Sequence, residues 1–226
     1  MHKEARAVEI NNLSTIPLNN VDLILLDLDN TLYEYKKCHD KALGCIAGQM
    51  SKHFDKNEEQ VRSLYMSCRK IVNTRHHGTA ASHSRLFYLQ LMIENLHGRT
   101  DVALVDSLHK SYWGTFINEM TLFSDAEYFL STCLAQSIPM VLVTDMTAEI
   151  QFQKIKKLDI GKYFPFIVTS EEAGVEKPSP FIFELAIAKA ETIHKKIKNI
   201  LVIGDDQVKD TFDSPIYTVD TYFVNR

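Results

Sequence analysis

The sequence predicts an α/β fold: an open parallel sheet flanked by helices, with an all-helical domain inserted near its start. Three observations carry this. Short apolar runs, among them LILL (23–26) and NILVIG (199–204), have the length of strands buried on both faces, as strands of a parallel sheet are. From about residue 121 such runs alternate with segments of helical period, the pattern of a parallel sheet built by right-handed crossovers. Between residues 33 and 120 the strand signals vanish and apolar residues recur at helical spacing.

Taken in order, residues 1–20 are polar and mixed, and read as a loose arm or a partial first element. Residues 21–28 read as the first strand. The block 33–120 contains four or five helices, marked by Val61, Leu64, Tyr65 and Cys68, by Leu86, Leu89, Met92 and Ile93, and by Val102, Val105, Leu108 and Tyr112. Ser124 is expected to cap a helix running to Gln136. A strand follows at 139–144, then a helix from Thr147 to Leu158 with Gly161 shortly after it. Strand 166–170, a helix from Ser179 to Glu191 with Pro180 in its first turn, strand 199–204 and a short last strand at 215–219 complete the pattern. The expected domains are a core, 1–32 and 121–226, and a helical insertion, 33–120.

Composition narrows the function classes. Hydrophobic residues make up 45% and charged residues 24%, as in ordinary soluble globular proteins. A net charge of -4 provides no global basic field, so neither nucleic acid nor an anionic membrane is an expected partner. The four cysteines, Cys38, Cys45, Cys68 and Cys133, form no CxxC pair and read as free thiols of a reducing compartment. The first twenty residues lack the apolar stretch of a secretory signal, and no apolar run is long enough to span a bilayer. A cytoplasmic monomer or homodimer is expected.

The chemistry lies where apolar runs end. In LILLDLDNTLYE (23–34) the strand stops at Asp27 and Asp29, two apart. Other strand ends carry Thr144 and Asp145, Glu176 and Lys177, then Asp205, Asp206 and Asp210. In an open parallel sheet these ends converge on one edge. So many carboxylates together are costly unless a cation neutralises them, and an oxygen-only ligand set suits Mg²⁺. Lys177 adds positive charge and Thr144 a hydroxyl, so the edge also suits a phosphate dianion. A carboxylate beside Mg²⁺ can attack phosphorus, with one of Asp27 and Asp29 as nucleophile and the other exchanging protons.

These residues also form four motifs in order: DLDNT (27–31), VLVTD (141–145), EKPSP (176–180) and GDDQVKD (204–210). In this the chain resembles the haloacid dehalogenase-like superfamily of phosphohydrolases, with a Rossmann-like core and a helical cap inserted after the first motif. The resemblance implies Asp27 as nucleophile and metal ligand, and Asp29 as general acid/base that meets the metal through its backbone carbonyl. It implies Thr144 and Lys177 as holders of the phosphoryl group and Asp205 as a metal ligand. Thr31, Asp206 and Asp210 would support that site. Dehalogenase members lack an aspartate at the position of Asp29, so its presence favours phosphate chemistry. Asp145 stands where the family commonly carries Asn or Gly, and is expected either to touch substrate or to cap helix 147–158. After Asp210 the chain departs from the family pattern, and a shortened sheet edge is expected there.

In the insertion, RHHGTAASHSRLFY (75–88) offers His77, His83 and Arg85 as candidates for a charged group of the substrate. A plain turn with a helix start at Ser82 or Ser84 is the competing reading. Tyr112, Trp113 and Phe116 read as helix packing rather than a platform for a base. The expected function is Mg²⁺-dependent hydrolysis of a small phosphorylated metabolite, a sugar phosphate or acidic-sugar phosphate, through an aspartyl-phosphate. Alternatives are a nucleoside 5'-monophosphate phosphatase and a catalytically inactive binding module. A phosphotransferase or mutase, and a receiver-type signalling domain, stand further off.

Overall fold

A computed structural model describes residues 6–226. The strands are β1 (Arg6–Ile10), β2 (Leu23–Leu26), β3 (Met140–Thr144), β4 (Phe166–Thr169), β5 (Asn199–Gly204) and β6 (Thr218–Val224). The helices are α1 (Tyr35–Phe54), α2 (Glu58–Arg75), α3 (Arg85–His97), α4 (Val102–Glu119), α5 (Ser124–Ala135), α6 (Ala148–Lys157), α7 (Ser170–Ala173) and α8 (Pro180–Glu191). The chain divides into two compact units, one of residues 35–120 and one formed by the segments on either side.

In the second unit all strands are parallel, in the order β1-β6-β5-β2-β3-β4. This is the Rossmann-like α/β architecture that the alternation of strands and helices predicts. Every residue of β2 and β3 is buried, so the apolar runs are strands covered on both faces. Each buried leucine contributes roughly 1.5–3 kcal/mol. Helix α8 packs on β2, β3 and β4 through a stripe of Ile182, Phe183, Ala186, Ile187 and Ala190. Pro180 opens α8, where its missing N–H breaks no helical bond.

The strand order reverses at β2. From there the chain runs outward through β3 and β4, then returns to the other side as β5 and β6. Ligands of open α/β sheets bind outside the carboxyl ends of the strands at such a reversal. Asp27 follows β2 directly.

Four local expectations are resolved or corrected. Of the two readings of residues 1–20, a partial first element holds for residues 6–10: they form the edge strand β1, which pairs with β6 from Arg6 to Ile10. The last strand is Thr218–Val224 rather than 215–219, and Ile216 is exposed. Asp220 breaks the apolar run and hides the strand in the sequence, yet β6 lies between β5 and β1. The sheet is therefore extended beyond β5 by two strands instead of being cut short. Ser124 is the first helical residue of α5, and Phe123 before it makes no side-chain cap.

The unit of residues 35–120 contains α1–α4. Helix α1 packs on α2 and α4, and α3 packs on α2 and α4. Asn57 and Gln60 form a reciprocal capping box at the start of α2. Ser84, rather than Ser82, caps α3, and Asp101 caps α4. Gly98 ends α3 at φ 70, a left-handed conformation that favours glycine. Cys38, Cys68 and Cys133 are buried, Cys45 is half-buried, and all four are free. Among the described residues no helix is long and apolar enough to cross a membrane.

Candidate active site

Asp27 remains tied to the sheet, its N–H donating to the Ile203 carbonyl at 2.9 Å. Its buried carboxylate accepts from Lys177 Nζ at 2.6 Å on one oxygen and from Thr31 Oγ1 at 2.8 Å on the other. Thr31 reaches back because Asn30 takes a left-handed φ of 66, a conformation for which asparagine is enriched. Asn30 in turn donates through Nδ2 to Asp205 at 2.8 Å, linking the loop after β2 to the end of β5.

Lys177 is almost wholly buried and also donates to Asp210 Oδ1 at 2.5 Å. Asp210 is held by the Asp206 N–H at 3.0 Å on its other oxygen. Asp206 itself is exposed, and its carboxylate accepts from the N–H groups of Val208 and Lys209, closing a turn. Gly204 makes this turn possible: a Cβ there would fall 2.0 Å from Asp210 Oδ2.

Carboxylate oxygens of Asp27, Asp205 and Asp210 lie within 4.8 Å of one another. Burial pushes the Asp27 carboxyl well above the usual carboxylate range; Lys177 opposes this, while Asp210 and Asp205 add to it. Burial likewise raises Asp205, with Asn30 opposing. For Lys177 burial disfavours the charge, but Asp210, Asp27 and Asp145 more than reverse it and hold the ammonium protonated. The cluster is thus an all-oxygen site whose carboxylates are short of positive charge. That donor set fits a hard divalent cation such as Mg²⁺.

Asp29 points to a different set of groups. Lys154 Nζ donates to its two oxygens at 2.7 and 2.8 Å, Gln151 Nε2 donates at 3.3 Å, and the Tyr33 hydroxyl donates to Oδ1. Burial works against the Asp29 charge, but Lys154, Tyr33 and Gln151 together hold its carboxyl below the usual range. Gln151 also donates to Thr144 Oγ1 at 2.5 Å, so the buried Thr144 hydroxyl belongs to the same network. Asp145 does not cap α6. It accepts the Lys177 N–H at 3.0 Å and Lys209 Nζ at 2.8 Å, which fixes the loop that carries Lys177.

Lys154 and Gln151 lie in none of the four motifs, and Lys209, although inside GDDQVKD, is given no role by the sequence. The available signal was the face of α6: Gln151 and Lys154 fall in the stripe that Ile150 and Ile155 bury. Two polar side chains in an apolar stripe mark a position with another use.

In the helical unit His77 is exposed in the turn after α2, and His83 is half-buried. Arg85 is buried. Its Nη1 donates to the His83 carbonyl at 2.7 Å and its Nη2 donates to the Tyr35 hydroxyl. The guanidinium lies 5.3 Å from the Trp113 ring centroid and within 6 Å of those of Tyr88 and Tyr112, the range of cation–π attraction. Trp113 and Phe116 pack edge to face, so this group of rings is part of the unit's core.

Comparisons with known proteins match this architecture. The family model described as haloacid dehalogenase-like hydrolase covers residues 21–211. A ribulose-1,5-bisphosphate 5-phosphatase of Halopiger xanaduensis is 30% identical over 83% of this chain and 77% of its own. A glyceraldehyde 3-phosphate phosphatase of Methanopyrus kandleri is 26% identical over 84% and 78%. Among solved structures, the magnesium-bound HAD-hydrolase YfnB of Bacillus subtilis superposes with a TM-score of 0.62, at 16% identity, over 88% of this chain and 93% of that one. The chain belongs to the haloacid dehalogenase-like hydrolases, as a hydrolase acting on phosphoric monoesters.

Proposed function

We propose that the chain is a Mg²⁺-dependent phosphatase of small sugar phosphates, acting through an aspartyl-phosphate on Asp27. The observation that carries this reading is the cluster at the carboxyl end of β2: Asp27, Asp205 and Asp210 with mutually close oxygens, and Lys177 between two of them. Asp27, Asp205 and the Asp29 backbone carbonyl would hold Mg²⁺, with Asp210 orienting Lys177. When bound, the ion supplies the positive charge that offsets the carboxylates and the phosphoryl oxygens.

Asp27 Oδ attacks phosphorus and the P–O ester bond breaks, its electron pair staying on the ester oxygen. Thr31 keeps the attacking carboxylate oriented through its 2.8 Å bond. Lys177 and Thr144 bind the phosphoryl oxygens, where charge builds in the transition state. Asp29, ionised at rest, relays to the leaving oxygen the proton that a monoanionic phosphate ester carries, then takes one from the water that cleaves the acyl phosphate. In the helical unit His77 and His83 stand as candidates for binding a charged group of the substrate, while the Arg85 guanidinium is taken up by the unit's own core.

The sugar phosphate assignment draws on the relatives, whose names specify phosphorylated sugars or their fragments. The test is phosphate release from sugar phosphates, nucleoside monophosphates and an aryl phosphate, in Mg²⁺ and in EDTA, with Asp27→Asn alongside. Release that needs metal, fails in D27N and favours sugar phosphates supports the reading. No release from any of them by folded protein would refute it and favour an inactive binding module.

A further inference from the structure

We propose that Lys154, seconded by Gln151, positions the Asp29 carboxylate for proton exchange with the leaving oxygen. The inference rests on the aspartyl-phosphate reading and adds to it a residue that lies in none of the four motifs.

Lys154 is fully buried on α6, yet its ammonium meets both oxygens of Asp29, at 2.7 and 2.8 Å. Burying an ammonium is costly unless it is paired and hydrogen-bonded. Ile150 and Ile155 supply the apolar stripe of α6, and Gln151 and Lys154 are the polar side chains buried beside them. The pairing also does more than cancel charge. Donors from two elements, Tyr33 in the loop after β2 and Gln151 and Lys154 on α6, meet one carboxylate. Contact with both oxygens fixes its plane as well as its position. Asp29 otherwise sits in a loop and would sample other rotamers. Holding a proton-transfer group in a reactive geometry is a recognised source of rate, and a misplacement of about 1 Å costs on the order of 10²-fold.

In the step served, Asp29, ionised at rest, takes the proton that a monoanionic phosphate ester carries and passes it to the ester oxygen as the P–O bond breaks, leaving the alcohol and an ionised Asp29. Lys154 keeps its own protons throughout and holds that carboxylate in place for the proton that water then gives up.

The test uses the full chain in Mg²⁺ and measures kcat/KM, which reports steps up to leaving-group departure. Three probes are compared: ribose 5-phosphate, phenyl phosphate and 2,4-dinitrophenyl phosphate. The last needs no proton on its leaving oxygen. Lys154→Met is expected to lower kcat/KM about 10²-fold for ribose 5-phosphate and less than about threefold for the dinitrophenyl ester. Asp29→Asn should rank the probes the same way, and adding K154M to it should cost nothing further. Lys154→Arg, which keeps the charge and shifts it, should give the same ranking at smaller size, and serves if K154M does not fold. Equal losses on all three probes, or an undiminished effect of K154M in the Asp29→Asn background, would overturn the inference alone. No turnover of any probe by the wild type would overturn the phosphatase reading and this inference with it.

Discussion

His39 makes the helical unit acid-sensitive by an amount that can be worked out. Its ring is largely enclosed, with Nδ1 2.7 Å from the Tyr112 hydroxyl and the Tyr35 and Tyr65 rings around it. Burial lowers its pKa from 6.5 to about 4; Arg85, Arg69 and Arg62 push the same way and only Asp40 opposes. The folded state therefore keeps the imidazole neutral where the unfolded chain protonates it. For a depressed histidine the stability is fully present above pH 6.5 and is lost as pH falls toward 4. At 1.36 kcal/mol per unit of pKa difference, the loss is about 2 kcal/mol at pH 5 and about 3 kcal/mol at pH 4. Trp113, the single tryptophan, packs against Tyr112 with ring centroids 5.1 Å apart, so its fluorescence reports this unit. Urea unfolding followed by that signal, at pH 7.5 and pH 5, is compared between wild type and His39→Gln. Carboxylates common to both proteins cancel in the comparison. The wild type is expected to lose about 2 kcal/mol more than the variant. Equal losses would refute the argument that burial sets the ionisation of His39.

Two further predictions concern the α/β unit. Gly204→Ala would place a Cβ 2.0 Å from Asp210 Oδ2 and 2.6 Å from Asp210 Cβ, so the 204–210 turn must move and carry Asp210 and Lys177 with it. Phosphatase activity should fall on the order of 10²-fold with circular dichroism unchanged, whereas full activity would show that the turn is not needed in this position. Lys177→Met would leave Asp27 and Asp210 buried and facing each other without their shared cation. Breaking such a pair costs about 3–5 kcal/mol, so the thermal midpoint in EDTA should drop, with partial recovery in Mg²⁺. An unchanged midpoint in EDTA would refute the assigned role of that ion pair in stability.

The reach of the sequence differs between parts of the molecule for an identifiable reason. The strands β2, β3, β4 and β5, the helices α6 and α8 and the position of the all-helical segment were legible because each depends on neighbours in the chain: an unbroken apolar run, a helical stripe, a proline at a helix start. The sheet-edge motifs were legible because the ends of parallel strands converge wherever such a sheet forms. For β1 the sequence leaves a loose arm and a partial first element both open, since a short mixed segment shows no pattern until β6 pairs with it. β6 itself was placed too early because Asp220 interrupts its run, and its seat between two strands outweighs that residue's poor strand preference. The contacts of Asp29 were not legible at all. Lys154 and Gln151 lie more than a hundred positions away, and nothing near Asp29 names them. The same holds for Arg85, which the sequence offers as a surface charge or an anion ligand, and which the helical unit buries among tyrosines and Trp113. Local periodicity is written in adjacent residues, so the sequence alone determined the fold class and the chemical types at the carboxyl edge. Which charge meets which depends on where the sheet and helices bring distant residues together, and that only the tertiary structure decided.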